Sequence, residues 1–326
     1  MSPPNSALVV VLERNRRVGQ RITRVLSAAV GLGHVAYIDD IADLASVVGE
    51  DTRLLACSDV DIGDVAATLC PTYRDLRLLA WFRDDPKPAI AVARAEPALG
   101  NIVGWPSFQS MPRAWELSLC ARRLCDPPGD PPGLVDLLHW GAFERIWSPE
   151  TTVDRDVVVA EVSQMILQIG LPTRAADRIA EIAHELVMNA MYDAPVDGDG
   201  YPRYAYDRTQ DLVLAENERP LVRLATDGIV LGLEVIDGFG GLTRDHVFEG
   251  VARGLEALDR SNGNDVVDTS HGGAGLGIAR IHGNGAALIC DVVPGHFTRV
   301  ISLHAIDISP REMRALPASL HYFHSP

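Results

Sequence analysis

Three short stretches of the sequence combine residue types that can bind a nucleotide or move a proton. The first is HELVMNAMYDAP at residues 184–195, where Glu185 and Asn189 are four residues apart and share one face of a predicted helix. A carboxylate can orient or deprotonate a hydroxyl, and a carboxamide oxygen can ligate a hard cation such as Mg²⁺. An H-E-x-x-H zinc site is excluded, because its second histidine would have to stand at Met188. Taken alone, the pair also fits a solvated helix face.

The second stretch, VIDGFGGL at residues 235–242, places an aspartate where a predicted strand enters a glycine-rich turn. Glycines allow the backbone to approach a ligand closely. Asp237, at the end of the strand, can accept a hydrogen bond from the exocyclic amine of a base. Taken alone, the same residues also fit an ordinary Asp-Gly turn.

The third stretch, HGGAGLGIARI at residues 271–281, is a glycine loop that leads into a predicted helix. Such a loop can direct backbone N–H groups and a helix N-terminus at phosphates. It is not a P-loop, because G-x-x-x-x-G-K-[ST] is absent. It is a poor dinucleotide fingerprint, because the third glycine would fall on Ile278. A flexible loop is the alternative reading of this stretch.

The elements that position these stretches predict an α+β sandwich over the second half of the chain, with helices segregated from antiparallel hairpins. Asp227-Gly228 between two β runs is a strong hairpin signal. The predicted elements are helices at 157–170 and 174–194, a hairpin at 221–237, a helix at 275–282 and a hairpin at 287–304.

The first half of the chain alternates short apolar runs with amphipathic ones, which predicts a parallel sheet with helices on both faces. The prolines and glycines of CDPPGDPPG, residues 125–133, mark a domain boundary, and 133–147 is predicted to be a connecting amphipathic helix. The predicted strands are 7–13, 34–39, 53–57, 76–82 and 101–105, and the helices are 16–30, 43–50, 64–70 and 112–124.

The composition favours a globular protein over a nucleic-acid or membrane binder. The 326 residues are 47% hydrophobic and carry a formal net charge of -15, which argues against a basic nucleic-acid surface and against docking on an anionic membrane. No apolar run reaches the ~20 residues of a membrane span. Five scattered cysteines without a C-x-x-C pair indicate neither a disulfide framework nor a zinc site. A cytoplasmic protein with reduced thiols is expected.

In this order, the three stretches resemble the ATP-binding domain of the GHKL superfamily, the Bergerat fold of histidine kinases, DNA gyrase and related ATPases. The resemblance covers about residues 150–305. It matches the N box (Glu185, Asn189), the G1 box (Asp237, Gly241) and the G2 box (Gly273, Gly275, Gly277).

The resemblance implies a role for each box. Asn189 would ligate the Mg²⁺ that bridges the ATP phosphates, and Glu185 would be the general base or orient a hydroxyl. Asp237 would accept the adenine amino group. The loop at 273–277, which includes Leu276, would wrap the phosphates.

The chain departs from the GHKL pattern at one box and predicts a lid between two others. Residues 243–272 would form a mobile lid over ATP. Phe239 stands where the usual D-x-G-x-G of the G1 box has its first glycine. An aromatic ring there would alter the wall of the adenine pocket and with it the nucleotide affinity.

Within the superfamily, EVSQMILQIGLPTRAADRIAEIAHELVMNA, which runs from 161 to 190, resembles the bacterial anti-sigma-factor serine kinases. These transfer the ATP γ-phosphate to a Ser or Thr of a small antagonist protein. Asp193 stands where such kinases often have His, and it is included among the nucleotide-binding candidates. A histidine kinase is a weaker alternative, because His139 lies only 46 residues before Glu185 and its apolar neighbours favour a structural role.

The first half of the chain resembles the receiver domain of bacterial response regulators without its chemistry. The strand-one acidic pair is reduced to Glu13, and the phosphorylated aspartate would fall on Cys57 or Ser58. Ala80 and Trp105 stand at the Thr/Ser and Lys positions. We interpret it as a pseudo-receiver for dimerisation or docking, with an unrelated flavodoxin-like domain as the alternative.

The predicted organisation is a receiver-like domain at 1–125, a linker with a connecting helix at 126–150 and a GHKL domain at 151–326. The expected function is an ATP-dependent and Mg²⁺-dependent serine/threonine protein kinase that acts on a protein partner, an anti-sigma antagonist or a response-regulator-like protein. A homodimer is expected. The alternatives are a nucleotide-gated partner-switch module without efficient transfer and a histidine kinase-like protein acting in trans.

Overall fold

A computed structural model describes residues 7–125, 131–138, 141–260 and 276–325. The chain is a mixed α/β protein that divides into two compact units. The first unit ends at Pro131 and also includes Pro310–His321; the second comprises Pro132–Ser309 and the residues from Tyr322 onward. No helix within the described ranges is long and apolar enough to cross a membrane.

The strands and helices are numbered here in chain order. The strands are β1 (Val9–Leu12), β2 (Val35–Ile38), β3 (Leu54–Ser58), β4 (Arg77–Phe82), β5 (Leu99–Gly104), β6 (Phe143–Trp147), β7 (Leu221–Thr226), β8 (Val230–Asp237), β9 (Ala287–Val293), β10 (Phe297–Ala305) and β11 (Ser319–His324). The helices are α1 (Arg16–Val30), α2 (Leu44–Val47), α3 (Ile62–Leu69), α4 (Lys87–Ala95), α5 (Ala114–Cys125), α6 (Thr152–Gln168), α7 (Thr173–Met188), α8 (Arg244–Arg260), α9 (Leu276–Asn284) and α10 (Pro310–Arg314).

The first unit is built on a parallel sheet with the strand order β2-β1-β3-β4-β5. Its central strands are continuous apolar runs, as expected for strands covered on both faces, and β1 and β5 are buried along their whole length. Helix α1 packs against α5, and α3 packs against α4. The predicted βα alternation is therefore confirmed, although α4 was not anticipated.

Residues of β11 extend this sheet on its β5 side in the antiparallel direction. Leu320 pairs with Ile102 and His321 with Asn101. The Ser319 hydroxyl donates 2.8 Å to Oε2 of Glu116, a residue of α5 that is fully buried. The sheet of the first unit is therefore extended by residues that lie almost 200 positions after α5.

The second unit has an antiparallel sheet with the strand order β9-β10-β8-β7-β6. The predicted hairpin at Asp227-Gly228 is confirmed, with Gly228 at φ 86° and the Asp227 carboxylate accepting the N–H groups of Ile229 and Val230. Helix α7 packs against α6 and α9, and α9 also packs against α8.

The predicted connecting helix at 133–147 is wrong. A short 3-10 turn occupies Leu134–Leu137, and residues Phe143–Trp147 form β6, which pairs antiparallel with β7. Gly141 separates the two elements at φ 87°, a conformation that no continuous α-helix contains. Once the helix is interrupted there, FERIW joins the sheet.

Candidate functional site

Helix α7 positions the two residues of the first motif by burying its opposite face. The residues that pack this face into the core of the second unit are Ile179, Ile182, Ala183, Leu186 and Val187. Glu185, Asn189 and Asp193 are half-buried and recur every four residues. They form a polar stripe, called here the acidic stripe, along one side of the helix and its extension.

The α-helical part of this element ends at Met188 and not at residue 194 as predicted. Residues Asn189–Asp193 form a π turn, in which the Ala194 N–H donates 2.9 Å to the Asn189 carbonyl oxygen. Pro195, which has no N–H, follows directly. Such π turns are frequent at functional sites, and this one begins at the predicted Mg²⁺ ligand.

The carboxylate of Glu185 lies against the first turn of α9. A Cβ added to Gly277 would be only 2.6 Å from Glu185 Oε2, so a larger residue there would displace the end of the Glu185 side chain. Arg280, three residues further along α9, places its Nη1 4.0 Å from Glu185 Oε1. Two predicted site residues, Glu185 and Gly277, are thus brought together.

Asn189 has the side-chain chemistry of a ligand to a hard cation. It is half-buried, and no hydrogen bond of its side chain is found among the described residues, so its amide oxygen is available. Within the same part of the chain, no group of three or more His, Cys, Asp or Glu side chains could hold a metal ion by itself. A cation at Asn189 would therefore need further ligands from phosphates or water.

Asp237 ends β8 at a nearly buried position, with 8% of its surface exposed. Burial raises the pKa of its carboxyl group, and hydrogen bonds from the backbone of Phe239 and Gly240 oppose that rise. The Phe239 N–H lies 2.9 Å from Asp237 Oδ1. The Oδ1 atom of Asp237 therefore stabilises the turn that follows β8.

The glycine that the turn after β8 requires is Gly240. Its φ is 64°, and an added Cβ would lie 2.1 Å from the Val293 carbonyl oxygen. At Gly241, the predicted G1-box glycine, an added Cβ would meet no heavy atom within 4 Å. Open space beside Gly241 is compatible with a ligand there. Gly240, which the motif does not include, is the glycine that the backbone of the turn requires.

Asp193 makes an ion pair that sequence reasoning did not find. Arg208 donates from Nε to Asp193 Oδ1 at 3.1 Å and from Nη2 to Oδ2. Burial raises the pKa of Asp193, and the Arg208 charge opposes that rise. Arg208 lies in the segment between Pro195 and β7, for which the sequence predicts no role. The only feature of the sequence that could have identified Arg208 is its positive charge in an acidic chain.

His184, one residue before Glu185, is half-buried, and burial followed by the Arg155 charge lowers the pKa of its imidazole. Arg155 itself donates from Nη1 to the Met188 sulfur at 2.9 Å. These neighbours give His184 a structural role beside Glu185.

The predicted lid at 243–272 is not a single loop. Residues Arg244–Arg260 form α8, which buries Val247, Phe248 and Val251. Residues 261–272, like Gly273, Gly275 and His139, lie outside the described residues. Leu276 is the first residue of α9.

In the first unit, the positions that a receiver uses for chemistry have other partners. Cys57 is buried in β3, and Trp105 is 3% exposed under the Arg83 guanidinium, 3.5 Å from the ring centroid. At the carboxyl ends of β1 and β3, Arg14 forms an ion pair with the nearly buried Asp61. Asp61 also accepts a hydrogen bond from Ser58 at 3.0 Å, so its carboxylate is fully engaged by neighbours of its own unit.

Neither a scan against protein-family models nor a search of curated proteins finds a match for this chain. The likeness to GHKL and receiver domains therefore rests on the motif residues described above. The geometry adds Arg208, Arg280 and Gly240 to the residues that the motifs identified.

Proposed function

We propose that the second unit is a Bergerat-type domain that binds Mg-ATP beside the acidic stripe and transfers the γ-phosphate to a Ser or Thr hydroxyl of a partner protein. The single observation that carries this proposal is the approach of Gly277 to Glu185, which puts a motif glycine of α9 against the motif carboxylate of α7. Two stretches more than 80 residues apart in the sequence, selected only by their motif pattern, meet in space.

The residues of the site divide the work of such a transfer. The available amide oxygen of Asn189 would hold Mg²⁺, which supplies charge neutralisation on the phosphates. Glu185 would orient the attacking hydroxyl and accept its proton. Asp237 would accept the adenine amino group with its carboxylate, which the turn after β8 holds in place through the Phe239 N–H.

The first unit would be a pseudo-receiver. Its strand order is that of flavodoxin-like sheets, in which ligands bind at the carboxyl ends of β1 and β3. Arg14 and Asp61 already pair there. This pairing supports a role in protein docking over phosphorylation-dependent signalling.

A nucleotide-gated binding module without efficient transfer is the second candidate, and the Arg280 contact favours it. A guanidinium 4.0 Å from Glu185 competes with a substrate hydroxyl for the carboxylate. Phe239 at the G1 box also favours this second candidate, because an aromatic ring there would change the wall of the adenine pocket.

Titration of the protein with a fluorescent ATP analogue, with Mg²⁺ and then with EDTA, tests the binding proposal. We expect saturable Mg²⁺-dependent binding that Asn189→Ala weakens at least about tenfold, since a lost charged contact costs roughly 1.5–3 kcal/mol. Asn217→Ala, an exposed asparagine of the same unit, is the matched control. Equal binding by both variants would contradict the assignment of Asn189.

Incubation with γ-labelled ATP and candidate partner proteins separates the two functions. Label on a partner Ser or Thr that disappears in Glu185→Gln supports the kinase. Binding without transfer or turnover supports the partner-switch module, and acid-labile label on a partner His indicates the histidine kinase-like alternative.

A further inference from the structure

The segment that follows the π turn is attached to it at two neighbouring residues. The Tyr192 side chain is fully buried, and its hydroxyl donates 2.8 Å to the Gln210 carbonyl oxygen. Asp193, the next residue, receives two hydrogen bonds from Arg208. Because Arg208 and Gln210 are only two residues apart, the guanidinium of Arg208 has a defined place beside the acidic stripe.

The loop around Arg208 is also ordered locally. The Asp207 carboxylate accepts the Thr209 N–H at 2.9 Å, and it accepts the Thr209 hydroxyl as well. Two residues after Gln210, the Leu212 N–H donates 2.8 Å to the Thr152 hydroxyl at the start of α6. Preorganisation of this kind reduces the entropy lost when a side chain binds a ligand.

The guanidinium of Arg208 has donors to spare for a ligand. It has five N–H groups, of which the two hydrogen bonds to Asp193 use two. Its side chain is 38% exposed, so the remaining donors can reach an incoming group. Its charge also acts on the residue before Glu185: after burial and Arg155, Arg208 contributes to the lowered pKa of His184.

We propose that Arg208 contacts the phosphates of a bound nucleoside triphosphate and that Asp193 positions it for this contact; this inference rests on the proposed nucleotide site. Asp193 puts a carboxylate where the anti-sigma-factor serine kinases that this segment resembles often have His. Alone, a carboxylate would repel phosphates. Paired with Arg208, the position regains a cation, and a guanidinium can bind phosphate oxygens through two parallel hydrogen bonds.

The test compares the binding of ATP and adenosine, each in the presence of Mg²⁺, to the wild-type chain, Arg208→Ala and Arg208→Lys. We expect Arg208→Ala to weaken ATP binding about tenfold or more while adenosine binding changes less than about twofold. Arg208→Lys is expected to recover part of the ATP affinity, since it restores the charge but not the planar fork.

Arg203→Ala is the matched control, because Arg203 lies in the same segment and pairs with Glu218 at a similar exposure. It is expected to leave the ratio of ATP to adenosine affinity unchanged. Equal losses for ATP and adenosine in Arg208→Ala would show a purely structural role and overturn the inference, as would unchanged binding of both. A wild-type chain that does not bind ATP would instead overturn the proposed nucleotide site itself.

Discussion

Glu185 and Arg280 face each other between α7 and α9, with 4.0 Å between Oε1 and Nη1. Both side chains are partly exposed, 24% for Glu185 and 34% for Arg280, so water or a ligand can reach the pair. The contact is longer than a hydrogen bond and electrostatic in character. It ties the residue proposed as the base to the helix that follows the glycine loop.

Replacing Glu185 is expected to separate chemistry from binding. Glu185→Gln should lower phosphate transfer or release at least about 100-fold, because general-base catalysis contributes about 10²–10⁴ in rate. ATP affinity should change little, since the amide preserves the shape of the side chain. Phosphate release and titration of the same sample measure the two effects, and wild-type turnover in this variant would remove Glu185 from the mechanism.

Arg280→Ala tests whether the guanidinium that faces Glu185 aligns this carboxylate. Without the guanidinium, Glu185 should adopt more orientations, so for the proposed kinase we expect turnover to fall about tenfold. Arg174→Ala, an exposed arginine at the start of α7, is the control. A rise in turnover would instead identify Arg280 as a competitor of the substrate hydroxyl.

The turn after β8 offers a comparison of adjacent glycines. Gly240→Ala should destabilise the protein by about 2–4 kcal/mol, because it adds a methyl group at positive φ and 2.1 Å from the Val293 oxygen. Gly241→Ala, with open space around the new Cβ, should cost less than about 1 kcal/mol. Denaturant unfolding measures both, and similar losses would contradict the assignment of the constraint to Gly240.

His304 should make the protein less stable in acid. Burial lowers the pKa of this imidazole to about 4, below the ordinary value of 6.5. A depressed histidine pKa means that the folded state prefers the neutral ring. The contribution of the neutral His304 ring to the free energy of unfolding is fully present above pH 6.5. Up to about 3 kcal/mol of it is lost as the pH falls through 4.

The contribution of His304 is measured as the difference between the wild-type chain and His304→Gln. The free energy of unfolding should fall more steeply for the wild type between pH 6.5 and 4. Parallel pH profiles of the two proteins would show that His304 is not the group responsible.

Glu116 should have the opposite pH dependence. Burial raises the pKa of its carboxyl group to about 7, against opposition from Arg113 and Ser319. Its stabilising contribution is fully present below pH 4.5 and is lost as pH rises through 7, at most about 3 kcal/mol. Arg113, Cys120 and His321 are the other titratable or charged groups at this carboxylate.

Glu116→Gln, which keeps the shape and removes the charge, tests this sign. Relative to the wild type, the variant should gain stability between pH 5 and pH 8, as followed by denaturant unfolding at a series of pH values. A relative loss over that range would mean that Arg113 stabilises the carboxylate more than burial penalises it.

Local patterns predicted most of the secondary structure because the signals were short-range. The Asp227-Gly228 turn, the start of α9 near residue 275 and the spacing of Glu185 and Asn189 each depend on a few neighbouring residues. In these places the periodicity of the apolar residues agrees with the turn chemistry.

The failures involve long-range partners. FERIW carries apolar residues that fit a helix or a strand, and only pairing with β7, more than 70 residues later, decides for β6. Arg208 belongs to no motif, so the sequence does not predict its ion pair with Asp193. Asp193 itself stands out in the sequence only because it replaces the His of the anti-sigma-factor kinase pattern. Strand β11 was missed for the same reason, since its partner β5 lies over 200 residues earlier.

The pairing of β11 with β5 has a consequence for how the protein is made. The ribosome releases residues up to Pro131 first, but Leu320 and His321, which pair with Ile102 and Asn101, follow about 190 residues later. At roughly 5–20 residues per second, this delay is about 10–40 s. During that time the β5 edge of the nascent first unit is open, with unpaired backbone groups that can associate with other strands. Slower translation or early termination should therefore favour aggregation through this edge.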